Sequence, residues 1–304
     1  MAQGSEIFDR VLLHERRRRL ALRGHGYGQE LPDFLLSHAV DDICERLAMI
    51  KRSFRDAVTI GSYHGLMAQR LRGLGLAAVV EVEPVAELMA IGGLGGQKQS
   101  GVVASEEALP FKSGAFDLAV SVLSLQYVND LPGVLAQIRS LLRPDGLFIG
   151  VVLGGATLRE LRQTMLQAEA EVMGGASPRV MPFIDVRDAG GLLQRAGFAL
   201  PVADVEMLSV TYANALDLCR ELKLMGATNV LQERSRVPMT RGLLMRAAEI
   251  YAERFAVDDG SGRIAATFEL VTMTGWFPDA SQQQPLKPGS AQMSLADALG
   301  PRVE

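Results

Sequence analysis

Residues 102–155 read VVASEEALPFKSGAFDLAVSVLSLQYVNDLPGVLAQIRSLLRPDGLFIGVVLGG. An apolar run, Phe116 to Leu125, follows a glycine turn and predicts a buried strand. Apolar Val134, Leu135, Ile138, Leu141 and Leu142 then recur at helical spacing. Arg143-Pro144-Asp145-Gly146 stops that helix, and a second apolar run from Leu147 to Leu153 predicts the next strand. Strand, helix, proline-glycine stop, strand is the order of an α/β protein whose mostly parallel sheet is covered by helices.

Working outward, residues 31–52 predict an amphipathic helix and Ala57 to Ile60 a first strand. A Gly61 to Gly65 loop, a helix from Leu66 to Leu71 and a second strand from Ala77 to Val82 follow. A glycine-rich stretch at 92–101 precedes a third strand at Val102 to Ala104. Such alternation builds right-handed βαβ units. Beyond Gly155 helices are predicted over 156–173, 186–196, 213–225 and 240–255, with strands over 203–211 and 264–274. The expected organisation is a helical arm (1–52), a Rossmann-like core (53–155), the remainder of the fold with a helical cap (156–276), and an extended tail (277–304).

Composition narrows the function classes. With 304 residues, 48% of them hydrophobic and 22% charged, the chain has ample material for a sizeable core. A formal charge of -4 argues against general nucleic-acid binding. Cys44 and Cys219 stand far apart, which predicts neither a disulfide framework nor a zinc site, and favours a reducing compartment. No apolar run reaches the roughly 18–20 residues that span a bilayer, and the opening residues form no apolar leader. A bacterial cytoplasmic location is expected. No ligand spacing links His14, His25, His38 and His64, so no metal site is expected. Neither GxSxG nor a P-loop is present. Arg16 to Arg19 read as a solvated helix face, or as a surface for an acidic partner or anionic membrane.

In a parallel sheet, ligands sit beyond the carboxyl ends of the strands near the switch point. That rule gathers the Gly61–Gly65 loop, Glu81 to Glu83, Ser105-Glu106 and Leu123 to Gln126 around one crevice.

The segments LPF, FDL, LSLQYVND and LRPDG resemble the second half of a class I S-adenosylmethionine (SAM) methyltransferase. Ile7-Phe8-Asp9-Arg10, SEEALPF, LLRPDGLFIGVVLGGATLRELR and GGASPRVMPFIDVRDAGGLLQRAGF extend the resemblance over about residues 7–276. The ordered set is most similar to bacterial relatives of the mitochondrial complex I assembly factor with a methyltransferase fold. The malonyl-carrier-protein methyltransferases are a poorer match after Gly155.

This resemblance implies SAM as cofactor, with a protein or small-molecule acceptor, and a respiratory-complex subunit as a possible partner class. It implies cofactor contacts from Gly61, Tyr63, Gly65, Glu83, Ser105, Glu106, Ser124 and Leu125. Thr59 stands where the family has an acid, and Tyr63 replaces the middle glycine of its loop. Glu81 and Glu83 both suit the ribose-binding acid, Glu83 being preferred because Pro84 ends the strand. Tyr127 and Asp130 are the nearest candidates for a catalytic role, although Asp130 also suits the N-cap of the next helix. Two readings stand: a SAM-dependent transferase, or a non-catalytic assembly scaffold with Tyr63 filling the former methionine pocket.

Overall fold

The computed structural model describes residues 6–27, 33–92, 100–283 and 290. Residues 93–99 of the glycine-rich stretch, and 284–289 and 291–304 of the expected tail, lie outside the described residues. Two helices open the chain, α1 (Arg10–Tyr27) and α2 (Phe34–Met49). Alternation follows: β1 (Asp56–Ile60), α3 (Leu66–Gly73), β2 (Ala78–Val82), α4 (Ala86–Gly92) and β3 (Ser100–Val102). Then come β4 (Phe116–Val122), α5 (Leu131–Leu141) and β5 (Leu142–Leu153). The remainder is α6 (Arg159–Met173), α7 (Val186–Arg195), β6 (Ala199–Tyr212), α8 (Ala215–Leu224), α9 (Arg241–Phe255) and β7 (Ile264–Trp276).

One seven-stranded sheet runs β3-β2-β1-β4-β5-β7-β6. The pairings from β3 through β5 are parallel, and β7 is antiparallel to both β5 and β6. The chain starts at β1, winds outward to β3, and returns across β1 to β4. The switch point therefore lies between β1 and β4, where the Gly61 loop and the segment after Val122 leave adjacent strands.

Side chains alternate between two cores because successive strand residues face opposite sides. Along β5, Leu147, Ile149, Val151 and Leu153 join Ile43, Leu47 and Tyr251 from α2 and α9. Phe148 and Val152 point the other way, onto Leu135 and Ile138 of α5 and Leu193 of α7. Burial on both faces explains why β4 is apolar almost throughout, with every residue buried.

Several strand boundaries depart from the sequence expectation, among them that of β6, which begins at Ala199 rather than at residue 203. The third strand lies at Ser100–Val102 rather than Val102 to Ala104, because this exposed edge is set by pairing with Val80 to Val82 and leaves little apolar signal. The fourth ends at Val122, not Leu125, because Leu123 turns into the left-handed region (φ 51°) and Leu125–Tyr127 coil into a 3-10 turn. The fifth begins at Leu142, since Phe116 pairs with Leu142 and Leu118 with Leu147, so that Arg143–Gly146 bulges out of the ladder.

Ile43 on α2 is fully buried, whereas Met49 on the same helix is 77% exposed. Ile43→Ala is expected to destabilise by about 2–4 kcal/mol in a urea titration, and Met49→Ala by less than about 0.5 kcal/mol. Equal effects would contradict this orientation of the helix.

Candidate active site

The loop after β1 is shaped by what must come close to it. Gly61 has φ 67°, and a Cβ there would lie 1.9 Å from the Ser124 hydroxyl oxygen. Only glycine lets β1 and β4 exit this near one another. Tyr63 adopts φ 53°, a left-handed conformation that glycine takes at no steric cost. Gly65, at φ 82°, turns the chain into α3.

The Tyr63 amide donates to Glu83 Oε2 at 2.8 Å, and the Val85 amide donates to Oε1 at 3.1 Å. Glu83 is fully buried just past the end of β2. Burial pushes its carboxyl up to about 7, against the pull of Arg17 and with repulsion from Glu106 adding to the rise. Glu81 is turned instead toward Arg72, at 2.6 Å.

Glu106, also buried, accepts from Ser124 Oγ at 2.8 Å and pairs with Arg10 of α1. Burial is the largest single influence and works to raise its pKa, but the Arg10 and Arg17 charges and its hydrogen bonds together hold the carboxyl below the usual range. Ser105 Oγ accepts from Arg10 at 3.1 Å and from the Glu107 amide at 3.1 Å.

Arg17 enters the same space. It is only 5% exposed, and its guanidinium carbon lies 5.1 Å from the Tyr127 ring centroid and 5.7 Å from that of Tyr63. No carboxylate lies within ion-pairing distance of it among the described residues, and its Nε has no hydrogen-bond partner. The expectation of a solvated face for Arg16 to Arg19 therefore holds for exposed Arg18 and Arg19 but not for Arg17. The signal was present in the spacing: Leu13, Arg17, Leu20 and Ala21 fall on one helical face, and all four are buried.

Arg17, Gly61, Tyr63, Leu123, Gln126 and Tyr127 bound a cavity of about 60 Å³. Among the described residues, six of the ten buried polar side-chain atoms left without a partner belong to this rim or its surroundings: on Arg10, His14, Arg17, Thr59, Ser62 and Gln126. Buried polar groups in folded proteins are almost always paired. Their concentration here sets this rim apart within the described residues.

Two candidates are corrected. Leu125 lies in the apolar core with Val58, Ile60 and Leu135, because the 3-10 turn points it under the sheet's rim while its neighbours Leu123 and Gln126 face the cavity. Asp130 caps α5, its Oδ1 accepting from the Gly133 amide at 2.9 Å, and does not line the cavity. Tyr127 is buried, and burial raises its phenol pKa, so it can donate a hydrogen bond but is unsuited to act as a base.

Asn129 has a role that its sequence position concealed. Its side chain accepts from the Ile7 and Phe8 amides at 2.9 and 2.8 Å and donates to the Phe8 carbonyl at 3.1 Å. The Asp9 amide then donates to Val230 O at 2.7 Å, and Arg234 pairs with Asp9 at 3.0 Å. The N-terminal segment is thus strapped between the rim and the loop before α9. Among the described residues no group of three His, Cys, Asp or Glu side chains converges to hold a metal, and no helix is long and apolar enough to cross a membrane.

The family described as a methyltransferase domain matches residues 33–201. The mitochondrial arginine-hydroxylase NDUFAF5 of Danio rerio is 36% identical, over 97% of this chain and 90% of that protein. A malonyl-[acyl-carrier protein] O-methyltransferase of Laribacter hongkongensis is 40% identical, over 62% of this chain and 60% of that protein. Among solved structures, the YcgJ protein of Bacillus subtilis superposes with a TM-score of 0.55 at 12% identity, covering 80% of this chain and 99% of that one.

Asp130→Ala should lower stability by about 1 kcal/mol in urea and leave ligand affinity at the crevice unchanged; weakened affinity would return Asp130 to the site. Glu83 has a folded-state pKa above its unfolded value, so its stability contribution is full below about 4.5 and is lost as pH rises through about 7. Stability should therefore fall over that window, and Glu83→Gln should flatten the fall by on the order of 2 kcal/mol. Parallel denaturant series at pH 4.5 and 8 read the difference, and identical slopes for the two proteins would refute the assignment.

Proposed function

This chain belongs to the methyltransferase family, in the group that includes the mitochondrial arginine-hydroxylases, and from that premise we propose that its crevice binds SAM. The observation that carries this reading is Arg17, a desolvated guanidinium without a carboxylate partner at the rim of the cavity. SAM carries a carboxylate, and a buried charge is tolerated only when paired.

The remaining residues fit the same ligand. Glu83 spends one acceptor site of each oxygen on a backbone amide and keeps others for ribose hydroxyls. Gln126 Oε1 and Ser62 Oγ offer further polar contacts. The Tyr63 ring bounds the cavity and packs beside Ala21, Val85 and Leu88, and its hydroxyl lies 3.5 Å from Met225 O. The present cavity of about 60 Å³ is well below the roughly 300 Å³ of small-molecule sites. Binding therefore requires the walls of this cavity to part.

Bound SAM supplies an electrophilic methyl group on a sulfonium. The protein's part is to hold it in line with the acceptor and exclude water. The acceptor is a protein or a small molecule, and the family resemblance makes a respiratory-complex subunit the partner class to try first.

Calorimetric titration with SAM tests the reading. Saturable heat is expected, at least tenfold weaker in Arg17→Met and in Glu83→Ala. No heat from a folded chain would leave the scaffold reading in its place.

A further inference from the structure

A second, larger cavity adjoins the crevice. It measures about 560 Å³ and shares Ala227 with the smaller one, the two being separated by α1 and the loop that follows α8. Its volume falls within the range of small-molecule sites. Most of its wall is apolar, including Leu161 and Met165 of α6, Phe183, Leu222 of α8, and Met239 at its mouth.

The polar part of the wall is of one sign. Arg16, Arg179, Arg234 and Arg236 line it, and no Asp or Glu does. Two of these charges are balanced from behind: Glu169 holds Arg179 at 2.6 Å, and Asp9 holds Arg234 at 3.0 Å. Glu169 itself is buried and further fixed by the Ser177 amide and hydroxyl at 2.6 and 2.9 Å. The other two form no ion pair among the described residues, although the Asp9 carboxylate also acts on Arg16 from a distance. Arg16 donates only to neutral oxygens, Thr228 Oγ1 at 2.9 Å and Asn229 O at 2.7 Å. Arg236 stands exposed at the opening, with no ion pair among the described residues.

An apolar chamber lined by four guanidinium groups, two of them outside any ion pair, selects a ligand with an aliphatic body and an anionic end. We propose that this chamber is a binding site for a soluble, carboxylate-bearing aliphatic molecule, which it presents to the crevice as acceptor. The inference rests on the cofactor reading only for the word acceptor; the binding itself stands on the chamber.

Equilibrium titration of the full chain with decanoate, 1-decanol and decylammonium tests it. Decanoate should bind saturably, and nonanoate about fourfold more weakly, the factor for one buried methylene. Decanol should bind at least tenfold more weakly than decanoate, and decylammonium not at all. Arg236→Glu, on an exposed side chain, should weaken decanoate at least tenfold, leaving decanol affinity and the thermal midpoint unchanged. Equal affinity for acid and alcohol, a preference for the ammonium, or no saturable binding would overturn the proposal. Binding only to phosphatidylglycerol vesicles would also overturn it, in favour of a membrane surface. Glu83→Ala should weaken SAM binding at least tenfold and leave decanoate binding intact, so the two readings fail separately.

Discussion

Two carboxylates and two guanidinium groups meet at the carboxyl rim of the sheet, and the arrangement of the N-terminal third follows from balancing them. Glu83 and Glu106 are brought together by the ends of separate parallel segments and are buried there. Two buried acids repel, and neither can be left unpaired at low energy. Arg10 answers Glu106 directly, while Arg17 acts on both acids from between two tyrosine rings. Because both arginines ride on α1, the helix is drawn over the crevice. Asn129 and the Asp9–Arg234 pair fix the chain just before it.

Covering the crevice in this way has consequences for function. Any ligand entering must displace charged contacts as well as apolar ones, so affinity depends on how well its own charges replace them. A zwitterion with a carboxylate can satisfy Arg17; a neutral nucleoside cannot. The neighbouring chamber obeys the same electrostatics with a different outcome, since half of its arginines form no ion pair among the described residues. One face of α1 serves the crevice through Arg17 and another serves the chamber through Arg16. Movement of that single helix would alter both spaces.

Much of the fold was legible because strands buried on both faces leave continuous apolar runs, as at β4 and β5, and because Asp130 and Pro132 mark the start of α5. The edge strand β3 was misplaced by two residues, since half-exposed Ser100 and Gly101 give no such run. The family resemblance puts Leu125 at the rim; the left-handed turn at Leu123 that sends it inward leaves no compositional trace. Arg17 was hidden inside a run of four arginines. Only the helical phase relative to Leu13 and Ala21 distinguishes it, and that phase becomes decisive only once the helix has something to pack against.

The sequence by itself determined the α/β class, the family resemblance, and the convergence of the Gly61, Glu83, Ser105 and Ser124 segments on one rim. These follow from local periodicity and from the handedness of βαβ crossovers, which are written into neighbouring residues. The tertiary structure alone decided which charges are buried, which are paired, and which face a cavity. Desolvation and ion pairing depend on side chains up to 225 positions apart, as for Asp9 and Arg234, and no local pattern encodes such distances.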